Sequence, residues 1–90
     1  MERKGYYAII PADVRYSNIP ASAKLLYGEI TALSNQEGYC WATNNYFAKL
    51  YGVTKGTVSV WMQELKKEGF ITIEVQRNEL KQVVKRKVSI

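Results

Sequence analysis

The sequence contains no histidine and only one cysteine, Cys40, which limits the chemistry that its side chains can perform. Without histidine there is no imidazole to serve as a general base or as a metal ligand. A single cysteine forms no internal disulfide, is too few for a zinc site, and suits a reducing cytosol. We therefore expect no metal site, no cofactor and a cytoplasmic location, with Cys40 acting as a small hydrophobic side chain.

Other features of enzymes and membrane proteins are missing as well. No apolar run approaches the roughly 20 residues of a membrane span, and no apolar signal segment follows the charged start. No glycine-rich phosphate-binding loop is present. Glu64 and Glu68 lie one helical turn apart, but Lys66 and Lys67 flank them, which is typical of a solvated polar face. These absences favour a protein that is not an enzyme and that binds neither a membrane nor a small-molecule substrate.

Positive charge is concentrated near the end of the sequence. The net charge is +5, from 13 lysines and arginines against 8 acidic residues. Residues 76–90 contain one acidic residue, Glu79, and five basic ones, which are Arg77, Lys81, Lys85, Arg86 and Lys87. Such a cluster is typical of a surface that binds phosphate groups, and the alternative is a solvated strand face.

Hydrophobic periodicity and turn-forming residues predict one domain over residues 1–90, without repeats or linkers. Strands are predicted at 6–10, 39–42, 70–75 and 83–90, helices at 20–34, 44–51 and 55–68, a loop at 13–18 and a polar hairpin tip at 77–80. Gly28, inside the first helix, is expected to permit close approach of another helix, and the alternative is a tolerated defect in the helix. The predicted fold class is α+β: three helices, a small antiparallel sheet with a C-terminal hairpin, and an extra N-terminal strand.

Local chemistry marks both ends of the third predicted helix. Thr54 is a suitable N-cap, and Val53 and Val58 are spaced as a hydrophobic staple. Gly69 followed by Phe70 fits the Schellman arrangement at a helix end. The inner side of this helix is assigned to Val58, Trp61, Met62 and Leu65.

Alternation in the C-terminal hairpin, here called the wing, predicts which side chains face the core. The inward side chains are predicted to be Ile71, Ile73, Val75, Val84, Arg86, Val88 and Ile90. Lys85 and Lys87 are predicted to face outward. Arg86 is unusual on an inward face, and we expect it where the edge of the sheet meets solvent.

The segment from residue 44 to residue 65 carries the pattern that indicates function. Two short helices joined by a tight turn need a small residue where they cross and a glycine where the chain reverses. Ala48 supplies the first and Gly52 the second, and Val58 follows six residues later. This spacing predicts a helix-turn-helix, a motif whose second helix enters the major groove of DNA.

The outer face of the third predicted helix is the candidate reader of DNA bases. Short polar side chains let a helix approach base edges closely, and hydroxyl and lysine groups can bond to bases or phosphates. The predicted recognition residues are Thr54, Lys55, Gly56, Thr57, Ser59, Val60 and Gln63. The predicted contacts of the wing and of the DNA backbone are Asn44, Asn45, Lys49, Arg77, Asn78, Lys81, Lys85 and Lys87. An ordinary solvated surface is the alternative for the helix face.

Four stretches of the sequence also resemble a known family. They are IPASAKLLY at 19–27, YCWATN at 39–44, GVTKGTV at 52–58 and LKKEGFI at 65–71. Together they resemble the N-terminal winged helix-turn-helix domain of Gram-positive plasmid and phage replication initiators, over residues 6–90. The resemblance implies double-stranded DNA binding at repeated sites of a replication origin, often as a dimer and with replication proteins as partners. It also implies that the chain is the N-terminal part of a longer protein.

Three functions stay open at this point: an initiator domain that binds an origin, a transcriptional repressor of the same fold, and a protein-interaction module of the replisome. We also predict a homodimer, because a strand at residues 6–10 would offer an unpaired edge to a second chain, and Leu25 could join that contact. The alternative is that this strand caps its own sheet.

Overall fold

The computed structural model describes residues 7–34 and 37–90. In chain order the elements are α1 (Ala12–Arg15), α2 (Ala21–Leu33), α3 (Asn44–Tyr51), α4 (Lys55–Lys67), β1 (Thr72–Arg77) and β2 (Val83–Ser89). The three predicted helices and the C-terminal hairpin are confirmed, and the α+β class with them. The short helix α1 was not predicted from the sequence.

Helix α2 begins directly after Pro20, whose missing N–H would have no helical partner at this position. Ala23, Leu26 and Ile30 recur at helical spacing and are fully buried, as the apolar stripe predicts. They join one core with further buried side chains from the helices, the connecting segments and β2, which are Val14, Ile19, Tyr27, Cys40, Ala42, Phe47, Ala48, Val58, Met62, Leu65, Ile71 and Val88.

The strand predicted at residues 6–10 is not formed over residues 7–10, and Tyr6 lies outside the described residues. The Ile9 N–H donates to the Thr31 side-chain hydroxyl at 3.0 Å, and so its partner is a residue of α2 instead of the backbone of a neighbouring strand. The segment lies against Gly28 of α2, where an added Cβ would stand 2.9 Å from Ala8 Cβ and 3.2 Å from Ile10 Cγ1. Gly28 therefore accommodates this extended segment, and the expectation that a helix packs there was wrong.

The loop predicted at residues 13–18 begins instead with the short helix α1. Pro11 is extended and precedes the first helical residue, and the buried Val14 fixes the turn to the core. The Ser17 hydroxyl donates to the Val14 carbonyl at 2.6 Å and closes the end of the turn. Four residues are too few for hydrophobic periodicity to indicate a helix, which is why the sequence pattern missed it.

The wing is a two-stranded antiparallel sheet in which Ile73 faces Val88 and Val75 faces Arg86. The strand predicted at 39–42 is reduced to one bridge: Cys40 N–H donates to the Val88 carbonyl at 2.7 Å, and Val88 N–H returns a bond of 3.0 Å. Thr43 already caps α3, so the chain leaves the sheet after this single pair.

Burial along the wing differs from the predicted alternation. Ile71 and Val88 are buried, but Val84 and Ile90, predicted to face inward, are each 58% exposed. Val75, also predicted inward, is 40% exposed. The strand pairing is irregular where Val84 falls, and Ile90 follows the last residue of β2, so simple alternation does not place these two side chains against the core.

Candidate nucleic-acid interface

Helix α4 is fixed at both ends by the predicted local chemistry. Thr54 Oγ1 accepts from the Thr57 N–H at 3.2 Å and lies 3.0 Å from the Thr57 hydroxyl. At the other end Phe70 N–H donates to the Leu65 carbonyl and Gly69 N–H to that of Lys66, each at 3.0 Å, which is the Schellman pattern. The helix therefore starts and stops at residues that its sequence dictates.

The predicted recognition face of α4 is largely open to solvent. Thr57 and Ser59 are half-buried, and the exposed members are Thr54, Lys55, Gly56, Val60 and Gln63. Val58, Met62 and Leu65 are buried on the opposite side, and Trp61 is half-buried. The helix thus presents its short side chains and one cation in its first two turns, whereas its apolar side is used in the core.

The turn before α4 sets the angle between α3 and α4. Gly52 lies in the left-handed region at φ 69°, and the Val53 N–H donates to the Ala48 carbonyl at 3.0 Å. Tyr51 and Trp61 meet edge to face across the two helices, with ring centres 6.1 Å apart. Ala48 is buried where the helices approach, so the small residue and the glycine occupy the predicted places.

Helix α3 presents its N-terminus beside the wing. Thr43 Oγ1 accepts from the Tyr46 N–H at 3.1 Å and caps the helix. Asn44 is half-buried, whereas Asn45 and Lys49 are exposed. Free N–H groups and the helix dipole favour an anion at such an end, which supports the predicted phosphate contacts.

Two of the wing cations share an aromatic support. The ammonium groups of Lys85 and Lys87 lie 5.6 and 4.7 Å from the centre of the Tyr39 ring. Their cross-strand partners are Gln76 and Glu74. Because the ring holds both stems on one side of the hairpin, the two charges are presented together.

The wing tip uses some predicted contact residues for its own structure. Asn78 Oδ1 accepts from the N–H groups of Leu80 and Gln82, at 2.9 and 3.0 Å. Arg77 Nη1 donates to the carbonyl of Lys81, a residue that lies at φ 61°. All three predicted contacts, Arg77, Asn78 and Lys81, are exposed, and their role toward DNA stays a prediction.

Arg86 connects the wing to the N-terminus of α3. Its Nη1 donates to Asn44 Oδ1 at 2.8 Å, and its Nη2 donates to the Ala42 carbonyl at 2.6 Å. Burial lowers the pKa of the guanidinium, an effect that the adjacent Cys40 opposes. The group still carries its charge at neutral pH, because arginine does not deprotonate in proteins.

Cys40 lies under this contact, in the core. Its side chain is fully buried, and burial raises the pKa of the thiol by more than the hydrogen bond with the Ala42 backbone and the nearby Arg86 charge lower it. The thiol therefore stays protonated and packs as a hydrophobic group.

Residues 17–71 match the family model described as a helix-turn-helix domain. The chain belongs to this helix-turn-helix family. Four helices followed by a two-stranded antiparallel wing confirm the predicted winged helix-turn-helix fold. Membership of the family indicates DNA binding. No curated protein and no solved structure matches the chain significantly.

Within the described ranges, no helix of this helix-turn-helix protein has the length and apolarity needed to cross a membrane. No group of three or more cysteine or acidic side chains in residues 7–34 and 37–90 is placed to hold a metal ion.

The residue that site prediction missed in the helix-turn-helix domain is Arg86. Alternation along β2 correctly predicted that Arg86 faces inward. Its hydrogen-bond partners, however, are 42 and 44 residues away in sequence. The signal in the sequence was a charged residue at a position predicted to face inward, since a half-buried arginine needs acceptors for its donors. Which acceptors meet it depends on how the wing folds against α3.

Proposed function

We propose that this helix-turn-helix domain binds double-stranded DNA sequence-specifically and has no catalytic role. Helix α4 reads base edges in the major groove, while the wing and the start of α3 hold the phosphate backbone. The observation that carries the proposal is the exposed first half of α4, where short polar side chains follow a capped turn whose geometry is fixed on the core side.

The side chains of α4 suit base reading by their size and chemistry. Gly56 has no side chain to keep the helix away from DNA, and the Ser59 hydroxyl can donate or accept at a base edge or a phosphate. Val60 is 58% exposed, and its methyl groups fit the methyl of thymine. Lys55, in the first turn, reaches either guanine or a phosphate.

The sites on DNA are proposed from the sequence resemblance. It favours repeated sites of a plasmid or phage replication origin, with replication proteins as further partners. A transcriptional repressor would use the same surface and has equal support from the family match. A replisome protein-interaction module would not show tight, salt-sensitive duplex binding, so that measurement separates it from the other two.

The homodimer stays a prediction. The unpaired strand edge on which the sequence pattern based it is absent from residues 7–10. Apolar side chains are nevertheless exposed there and on α2, at Tyr7, Ile9 and Leu25.

The decisive experiment selects a preferred duplex from a random pool and then compares variants of the wing and of α4. Replacing Lys85 and Lys87 by alanine is expected to weaken binding to all duplexes alike. It should lower the slope of log affinity against log salt by roughly one for each phosphate that is no longer neutralised. Replacing Ser59 by leucine is expected to reduce discrimination between selected and random duplexes by about 1–3 kcal/mol per base contact, with nonspecific affinity retained.

Ser22→Leu is the matched control, because Ser22 is exposed on α2, outside the proposed interface. Circular dichroism establishes that each variant is folded. If Ser59→Leu leaves discrimination unchanged, α4 does not read the bases, and if no duplex is preferred the proposed function is wrong.

A further inference from the structure

We propose that Arg86 is the positioning residue of the DNA interface: it fixes the wing against α3 and orients the Asn44 amide group toward the DNA backbone. The inference rests on the proposed function, because Asn44 is one of its backbone contacts. Arg86 itself need not touch DNA in this arrangement.

The geometry begins with the forked contact of the guanidinium. Two nitrogens of one rigid plane donate to Asn44 Oδ1 and to the Ala42 carbonyl, so the group is held at two points. Those acceptors flank the Thr43 cap, where α3 begins. Arg86 thus ties the middle of β2 to the start of the helix, two residues before Val88, which bridges to Cys40.

The chemistry of this pair orients the Asn44 side chain. A guanidinium has donors only, so the carboxamide must turn its oxygen toward Arg86. The Nδ2 group then points away with both hydrogens, and no acceptor in the described part of the chain bonds to it. Asn44 is the first residue of α3, so these donors lie beside the unpaired N–H groups of the first turn. Both sets of donors can bind one phosphate group.

A lysine at position 86 would not reproduce this contact. Its ammonium is a point charge on a flexible stem and lacks the planar fork that meets two acceptors in fixed directions. The arginine therefore supplies geometry as well as charge, and these two contributions can be separated by substitution.

The test measures affinity for the selected duplex across a salt series. Arg86→Lys keeps the charge and removes the fork, so we expect affinity to fall about tenfold, because the Asn44 amide is no longer held toward the DNA backbone and its hydrogen bond to a phosphate is lost. The salt slope should stay within about half a unit, as residue 86 neutralises no phosphate. Asn44→Asp keeps an acceptor for Arg86 but removes the Nδ2 donors, so it should fold normally and still bind at least about tenfold more weakly.

The double variant Asn44→Ala with Arg86→Lys is expected to lose less affinity than the sum of the two single losses, because the orienting part of the Arg86 effect acts through Asn44. Lys66→Gln is the control for removal of an exposed cation, since Lys66 lies at the far end of α4, and its affinity should be unchanged. Additive losses in the double variant, or full affinity in Arg86→Lys, would overturn the positioning role. A direct phosphate contact by Arg86 would appear instead as a salt slope reduced by about one in Arg86→Gln.

A second readout needs no DNA and separates this inference from the proposed function. Because Arg86 holds the wing against the start of α3, Arg86→Lys should speed hydrogen exchange at the Cys40 and Val88 amides. These two amides form the hydrogen-bonded bridge that joins the wing to the segment before α3. Unchanged exchange at both amides refutes the positioning role. A chain that binds no duplex but shows faster exchange refutes the proposed function alone.

Discussion

The helix-turn-helix segment and the wing of this domain are stabilised in different ways. The segment from α3 to α4 has caps at its helix starts, a left-handed glycine in its turn and fully buried side chains such as Phe47 and Val58. The wing is exposed along nearly all of β1 and at the first three residues of β2, and it is joined to the helices by the Cys40 bridge and the Arg86 fork. Local sequence chemistry therefore fixes the proposed reading helix, whereas contacts between residues distant in sequence position the proposed backbone clamp.

The largest expected difference between the two regions is in tolerance of side-chain truncation. Leu65 on α4 is fully buried, whereas Leu80 at the wing tip is 77% exposed. We expect Leu65→Ala to lower the free energy of unfolding by about 2–5 kcal/mol, because it leaves a cavity. Leu80→Ala should change it by no more than about 0.5 kcal/mol. Urea unfolding followed by circular dichroism measures both.

Alanine substitutions at two glycines test whether the turn between α3 and α4 requires the left-handed backbone conformation of Gly52. Gly52 has a positive φ and no atom within 4 Å of an added Cβ, so Gly52→Ala is strained by conformation alone. We expect a loss of about 1–2 kcal/mol. At Gly56 an added Cβ would meet only Thr54 Oγ1, at 3.8 Å, so Gly56→Ala should gain about 0.4–1 kcal/mol. If thermal unfolding shows equal changes in stability for Gly52→Ala and Gly56→Ala, the left-handed conformation of Gly52 is not important for the stability of the turn.

The smallest expected effect concerns Cys40, at the joint between the two regions. Burial raises the pKa of its thiol, so the native state holds this proton more tightly than the unfolded chain. The resulting stability is complete below about pH 8.5, the range of an unfolded cysteine, and is lost as pH rises through the native pKa. The free energy of unfolding should therefore decline with alkaline pH.

Cys40→Ala provides the comparison for this titration, because it removes the thiol while the other titratable groups remain. We expect a shallower decline between about pH 8 and 10 than in the unchanged chain. A parallel decline in the two proteins would assign the alkaline loss to other groups. Tyr27 is one such group, because burial, and to a lesser extent Asp13, raise the pKa of its phenol as well.

Sequence-based prediction was most accurate for features that residues close in the chain determine, such as the ends of helices. Thr43, Thr54, Gly52 and Gly69 act on atoms within a few residues, so the bounds of α3 and α4 follow from the sequence alone. The exposed face of α4, which is the proposed recognition face, followed from the same periodicity, because burying one side of a helix exposes the other.

Prediction from the sequence failed where residues distant in the chain determine the position or the partners of a side chain. Residues 8 and 10 could not be placed against Gly28 without knowing that α2 offers a gap there. Val84 was assigned inward by alternation, but the strand pairing is irregular at this position and the side chain is exposed. The acceptors of Arg86 become visible only when the wing is folded beside α3.

One of the two tryptophans lies in the helix-turn-helix segment and the other lies beside the wing, which gives the domain a pair of intrinsic fluorescent reporters. Trp61 packs half-buried against Tyr51 between α3 and α4, whereas Trp41 is 54% exposed and stands beside Val84 and Arg86 of the wing. The Trp61 emission should thus lie at shorter wavelength and follow unfolding of the body. The solvent-exposed Trp41 emits at longer wavelength and can follow movement of the wing while the body stays folded. Two single-tryptophan proteins, Trp41→Phe and Trp61→Phe, would let one fluorimeter follow the two regions separately.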